Sequence, residues 1–414
     1  MADNNKYLNN LNKNQSNNNS MDHNLNQIPF SRSSTISEDE QTLIEVIPVE
    51  RKKVHSRLYW ADCARIISMV SIVLLHSAGN GCEKTLLKKN DKDWIIICIY
   101  NCMVRFGVPM FTLLSGTFIL DPSKKFTFKK LFGHNILRLA TAFVFWSTVN
   151  ALLNIYLYKN NKPAEFFKLF FVGEEYLWYI FMIIGCYLIS PFLRFFSDNI
   201  ILARYFLGLC VIWGSFIPTL KNIFHIYNFK EAENALDEWL SHWHYHFTLE
   251  FVGYYVAGYH IVKHVNIKSV ILRIFIYILG LVDLIVFITL TYGIEAKDNT
   301  VYSKEFRDNY SLTVVIYSII LFLFFKHEIG RIKFSEKAIK IITKLSSLTF
   351  GMYLSHMIIK FLLSHYAHIS QIEFFGLSVR AAIGCPIFAI IITILSILTS
   401  YLLSKIPVLN KYIL

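Results

Sequence analysis

Apolar residues along this chain come in long uninterrupted blocks, separated by short polar and charged segments. After about fifty polar residues, ten blocks follow, at 60–79, 94–120, 136–158, 176–196, 200–217, 247–264, 269–292, 311–326, 347–366 and 379–404. A helix rises 1.5 Å per residue, so roughly 20 apolar residues cross a hydrocarbon core of about 30 Å. The pattern predicts an all-α polytopic membrane protein with about ten transmembrane helices. The blocks at 200–217 and 311–326 are the short ones.

The connecting segments carry an orientation signal, because Lys and Arg concentrate in cytoplasmic loops. "RKKVHSR" precedes the first block, and "DPSKKFTFKK" follows the second. "KHVNIKSVILR" follows the sixth and "KHEIGRIKFSEKAIKIITK" the eighth. All four fall on one side of a ten-helix arrangement, whereas "KEAENALDEW" after the fifth falls on the other. Both termini are therefore expected in the cytoplasm. Residues 1–50 are a separate regime: "NNLNKNQSNNNSMDHNLNQ" is Asn-rich and too polar to bury a core, so a disordered cytoplasmic tail is expected, without the apolar stretch of a signal peptide.

Composition agrees with the blocks. The chain is 54% apolar and only 17% charged, with 35 Phe and 23 Tyr, which suits lipid-facing and interfacial positions. In this setting the net charge of +12 belongs to loops, and no nucleic-acid partner is expected. The seven cysteines (63, 82, 98, 102, 186, 210 and 385) form no paired spacing, so neither a disulfide framework nor a zinc site is indicated. "SHWHYHF" (241–247) alternates three histidines, but without carboxylate or cysteine support it reads as an interfacial belt or a rim for a glycan; no metal is expected.

The chemistry concentrates in the first block. "RIISMVSIVLLH" places Arg65 and His76 eleven residues apart, three turns plus about 20°, so they share one helix face about 16 Å apart along the axis. Asp62 joins that face. A charged side chain near a helix centre costs on the order of 2.5–3.5 kcal/mol on insertion scales, so this face is expected to line a protein-walled cavity. Histidine moves protons near neutral pH, and arginine grips phosphate or carboxylate through a forked donor pattern. Arg105, deep in the second block, is expected to face the same cavity and contact an anion. Ser115 and Gly116 suit close helix approach, and Pro109 and Pro191 are expected to kink their helices.

These residues also carry a resemblance. "ADCARIISMVSIVLLHS" resembles the first helix of the membrane-bound acyltransferase 3 family, with its Arg, ten residues, then His. "RFGVPMFTLLSGTFIL" (105–120), "KKLFGHNILRLATAFVFWS" (129–147), "YLWYIFMIIGCYLISPFLR" (176–194) and "LTFGMYLSHMII" (348–359) resemble further family segments, in the family's order. The resemblance covers residues 57–405 and is similar in particular to the enterobacterial-common-antigen O-acetyltransferase type and its surface-polysaccharide relatives. Three positions depart from the pattern: Asn135 where a second arginine of an Arg-x-x-Arg is usual, Tyr176 where His often stands, and Thr117 in place of an aromatic.

The resemblance implies O-acyl transfer, usually of acetyl, from cytosolic acyl-CoA to a hydroxyl of an envelope glycan or lipid-linked sugar, within the plasma or inner membrane. Acetyl-CoA would be the donor substrate, with no resident cofactor. It implies His76 as the catalytic histidine, with Arg65 and Asp62 beside it. Acyl-CoA is then expected on Arg65, Arg138, Arg105 and Lys130, and the acceptor on Tyr176, Trp178 and His356. The alternative is a transporter, because an intramembrane His, Arg and Asp also suit a proton relay for a solute or glycan.

Overall fold

The computed structural model describes residues 57–79, 92–158, 163–243, 251–297 and 305–413. The Asn-rich tail lies outside the described residues, as do His244 and His246 of the histidine-rich segment. Among the described residues the protein is almost wholly helical. The helices are α1 (Tyr59–Ser77), α2 (Lys92–Met103), α3 (Gly107–Ile119), α4 (Leu137–Tyr158), α5 (Pro163–Val172) and α6 (Trp178–Ser197). They continue with α7 (Ile200–Val211), α8 (Ile217–Ile226), α9 (Lys230–Trp243), α10 (Phe251–His264) and α11 (Val270–Lys297). Last come α12 (Leu312–His327), α13 (Glu336–Tyr366), α14 (Ala381–Leu403) and α15 (Pro407–Tyr412). A two-residue hairpin, β1 (Glu373–Phe374) paired with β2 (Leu377–Ser378), joins α13 to α14.

Nine stretches among the described residues are long and apolar enough to cross a membrane. They coincide with nine of the ten expected blocks. The remaining block, the sixth, corresponds to α10, a helix of 14 residues that is buried along nearly its whole length; residues 247–250 of that block lie outside the described ones. The protein is thus an all-α polytopic membrane protein. Little of 200–226 and 270–294 is buried, as expected of helices at the lipid-facing edge, whereas over half of α1 is buried.

Two of the expected helices are not continuous α-helix: the fifth passes through a π-helix over Ile212–Phe216, between α7 and α8. The second breaks over 104–106, between α2 and α3. Pro109 explains the position: its ring meets the carbonyl four residues earlier, that of Arg105, and it offers no N–H to that carbonyl. In α3 itself Pro109 falls in the first turn, where a missing donor costs nothing. Ahead of α4, the chain widens into a π-helix over Leu131–Ile136, a device that inserts a residue and turns side chains toward a new direction.

The centre of the bundle is the pair α3–α10, with α1 packed against α3, α13 and α14. Glycine makes the first contact possible. A Cβ on Gly116 would lie 1.8 Å from the carbonyl oxygen of Tyr255, and one on Gly258 would lie 1.9 Å from that of Leu113. The two backbones therefore touch reciprocally, the geometry that small residues permit between membrane helices. Basic side chains close helix ends from neighbouring elements. Lys326 Nζ donates to the carbonyls of Ile261, Val262 and Val265 at the end of α10. Arg194 donates to those of Ile119, the last residue of α3, and Lys124 beyond it.

Candidate active site

Carbonyls and amides inside a bilayer must pair within the protein, so ionisable groups that are not merely caps stand out. Two large cavities open among the described residues. One, of about 700 Å³, runs between α6, α7, α8, α10 and α12 and carries no His, Lys, Arg or carboxylate in its lining. The other, of about 680 Å³, gathers the candidate chemistry.

Its wall is built from seven helices, the turn before α6 and the segment before α1. From α1 come Arg65, Ile72 and His76; from α3, Val108, Phe111 and Ser115. The π-helix and α4 add His134, Asn135 and Arg138, and α6 and the turn before it add Tyr176, Trp178, Tyr179, Ile183 and Tyr187. Ser346, Ser347, Thr349, Phe350 and Tyr353 come from α13, Asn410 and Lys411 from α15, and Arg57 precedes α1. The expected common face of Arg65 and His76 thus opens on one cavity. Arg138, Tyr176 and Trp178 open on it as well.

Asp62 lies elsewhere. It is buried beneath the cavity wall and does not line it. Its carboxylate accepts from Arg57 Nε at 2.6 Å, from Arg65 Nη1 at 3.2 Å and from Ser346 Oγ at 2.6 Å. That arrangement uses both carboxylate oxygens to aim two guanidinium groups. The Arg65 guanidinium also lies over the Phe118 ring, 4.9 Å from its centroid.

Arg105 and Lys130 do not line the cavity either. Arg105 sits in the break between α2 and α3 rather than mid-helix, for the reason Pro109 supplies. Lys130 is exposed and borders a small pocket of about 70 Å³ with Lys124, Lys125 and Arg194. Asn135 faces both pockets. Arg138 lies over the Phe350 ring at 5.5 Å, and its buried Nε has no hydrogen-bond partner among the described residues. A buried guanidinium donor left open beside a cavity is suited to an anionic ligand.

Around His76 the surroundings are aromatic. The centroid of the His356 ring lies 5.3 Å from that of His76, and His356 does not line the cavity. Tyr176 Oη accepts from Asn150 Nδ2 at 2.9 Å and donates to the Leu354 carbonyl at 3.1 Å. Its hydroxyl is therefore occupied within the protein. Tyr353 Oη donates to the Tyr176 carbonyl at 2.5 Å. The carbonyl of His76 accepts from Lys360 Nζ, which ties the end of α1 to α13.

Several cavity residues escaped sequence reasoning. Tyr179 and Tyr187 follow Tyr176 at spacings of three and eleven, close to whole helical turns, so their common face was readable. The roles of Arg57 and Lys411 were not readable, because both lie outside apolar blocks and reach the cavity only through tertiary packing. His134 and Asn135 depend on the π-helix, for which the sequence has no marker.

Chemically, the cavity offers an imidazole deep on α1, a set of tyrosines beside it, and Arg57, Arg65, His134, Arg138 and Lys411 around the rest. No curated protein and no solved structure matches the chain. Residues 58–405 match the family described as "Acyltransferase domain", and this span takes in every cavity residue but Arg57, Asn410 and Lys411. The chain therefore belongs to the membrane-bound acyltransferase 3 family.

Proposed function

We propose that this protein is a multi-pass O-acyltransferase of the cell membrane, moving an acetyl group from cytosolic acetyl-CoA to a hydroxyl of a surface polysaccharide or glycolipid. The observation that carries the reading is the shared cavity: a histidine from one end of α1 and arginines from the other end and from α4 open on the same space. Family membership favours an acyltransferase over the transporter alternative.

In this reading acyl-CoA approaches from the Arg65 side. Arg65, held by Asp62, and Arg138, with its open Nε, take the phosphates through charge-assisted hydrogen bonds. The Lys/Arg-rich segments expected in the cytoplasm lead into the elements that carry these residues, which supports donor access from that side. The thioester then lies toward His76. His76 takes the proton of the acceptor hydroxyl as its oxygen attacks the thioester carbon. The carbon–sulfur bond breaks, and the CoA thiolate leaves with the proton returned by His76. Atoms and charge balance without a further reactant. Trp178, exposed at the cavity edge, offers an aromatic face to the sugar.

The purified protein tests this directly. Acetyl-CoA, but not free acetate, is expected to raise its melting temperature, and acetyl groups are expected on a glycan acceptor. Stabilisation by neither, with no transfer to any hydroxyl acceptor, would contradict the proposal.

A further inference from the structure

His356 is buried to 1% exposure, yet the donor and acceptor cavity does not reach it. Its Nδ1 lies 2.6 Å from the Tyr353 carbonyl. A carbonyl only accepts, so Nδ1 carries the proton and Nε2 presents a lone pair. Nε2 is fully buried and has no hydrogen-bond partner among the described residues. Buried polar atoms are rarely left in that state, and where they are, the neighbouring group explains it. The neighbour here is His76, its ring centroid 5.3 Å away with the planes inclined at 44°. At that separation a small ring rotation, or one bridging water, joins the two imidazoles by a hydrogen bond.

We infer that His356 is a positioning residue that fixes the tautomer of His76. The inference rests on the reading of His76 as the base. Nε2 of His356 accepts the ring N–H of His76, which leaves the other His76 nitrogen unprotonated and directed at the acceptor hydroxyl. During transfer that nitrogen takes the hydroxyl proton and later returns it to the leaving thiolate. His356 accepts the same N–H throughout and changes its own protonation at no step.

The surroundings suit a fixed orienter better than a substrate ligand. The Tyr176 ring stands edge-on to His356 at 5.5 Å, and the Tyr353 ring lies at 6.0 Å. Both tyrosines are locked by hydrogen bonds to main-chain carbonyls. Helix α13, which carries His356, also holds the His76 main chain through Lys360. The base is thereby held at backbone and ring from one helix, and such second partners of a working imidazole decide which nitrogen is free.

The test compares His356→Leu with His356→Gln in the acetyl-transfer assay, alongside nitrogen NMR of labelled wild-type protein. Removal of the acceptor in His356→Leu is expected to lower kcat by about 10–100-fold, the range for partners that orient a working imidazole, with KM for both substrates unchanged. His356→Gln, whose amide oxygen can accept near the Nε2 position, is expected to recover most of that loss. In wild-type protein His356 is expected as the Nδ1–H form, with coupling across a hydrogen bond to His76. Unchanged kcat in His356→Leu, a loss confined to KM, or a proton on Nε2 of His356 would each overturn the inference. The NMR result decides even if His356→Leu does not fold. If instead His76→Ala keeps wild-type turnover, the underlying reading of His76 fails, whatever His356 does.

Discussion

Asp62 Oδ1 accepts a hydrogen bond from Arg65 Nη1, one turn further along α1, at 3.2 Å. The same carboxylate holds Arg57 and Ser346, so one buried anion aims two cavity cations from below. Replacing it by Asp62→Asn removes the charge and keeps the shape. The Arg65 guanidinium then loses its anchor and swings more freely. Affinity for acetyl-CoA is expected to fall by about tenfold, or about 1.4 kcal/mol, with kcat changed far less. Calorimetric titration with acetyl-CoA measures it.

Arg138 lies over Phe350 with its Nε open. A lysine keeps the charge but not the planar fork. Arg138→Lys is expected to raise KM for acetyl-CoA by about 5–10-fold, and Arg138→Gln by more, on the scale of charge-assisted hydrogen bonds worth about 1.5–3 kcal/mol. Initial-rate kinetics at varied donor concentration separates this from any effect on kcat.

The first helix was legible because its two polar residues share a phase, and a periodic argument needs nothing from the rest of the chain. The second helix was read as continuous, since apolar composition alone runs unbroken from 94 to 120. Pro109 was noticed, but its consequence for Arg105 follows only from the clash four residues back. His356 was placed with the acceptor because a sequence element fixes a residue on a helix without fixing whether it lines the cavity. Asp62 was placed beside His76 by helix phase, yet its partners Arg57 and Ser346 come from a loop and from α13. Gly116 was expected to allow close approach, but that α10 would be the helix it meets depends on long-range packing.

That packing gives a stability prediction. A side chain on Gly116 or Gly258 would enter the backbone of the facing helix, so the α3–α10 pair must separate. Gly116→Val and Gly258→Val are each expected to cost more than the roughly 1–3 kcal/mol of ordinary overpacking. Thermal unfolding in detergent should show a large drop in melting temperature or loss of folded protein.

Lys326 closes the end of α10 through three main-chain carbonyls. Lys326→Met keeps the aliphatic stem and strands those acceptors away from water. A loss of about 2–3 kcal/mol is expected from hydrogen bonds to a charged donor, without a change in KM for acetyl-CoA in the protein that folds. Guanidinium or thermal denaturation, set beside donor kinetics, checks both halves.

The central claim is that His76 is the proton-transferring residue of an acetyl-CoA-dependent transfer. Its most direct test is the turnover of purified His76→Ala with acetyl-CoA and a glycan acceptor, with donor binding measured on the same sample. Loss of kcat by about 100-fold or more, the scale of general base catalysis, with acetyl-CoA binding intact, is the expected result. Turnover equal to that of the wild-type protein would contradict it.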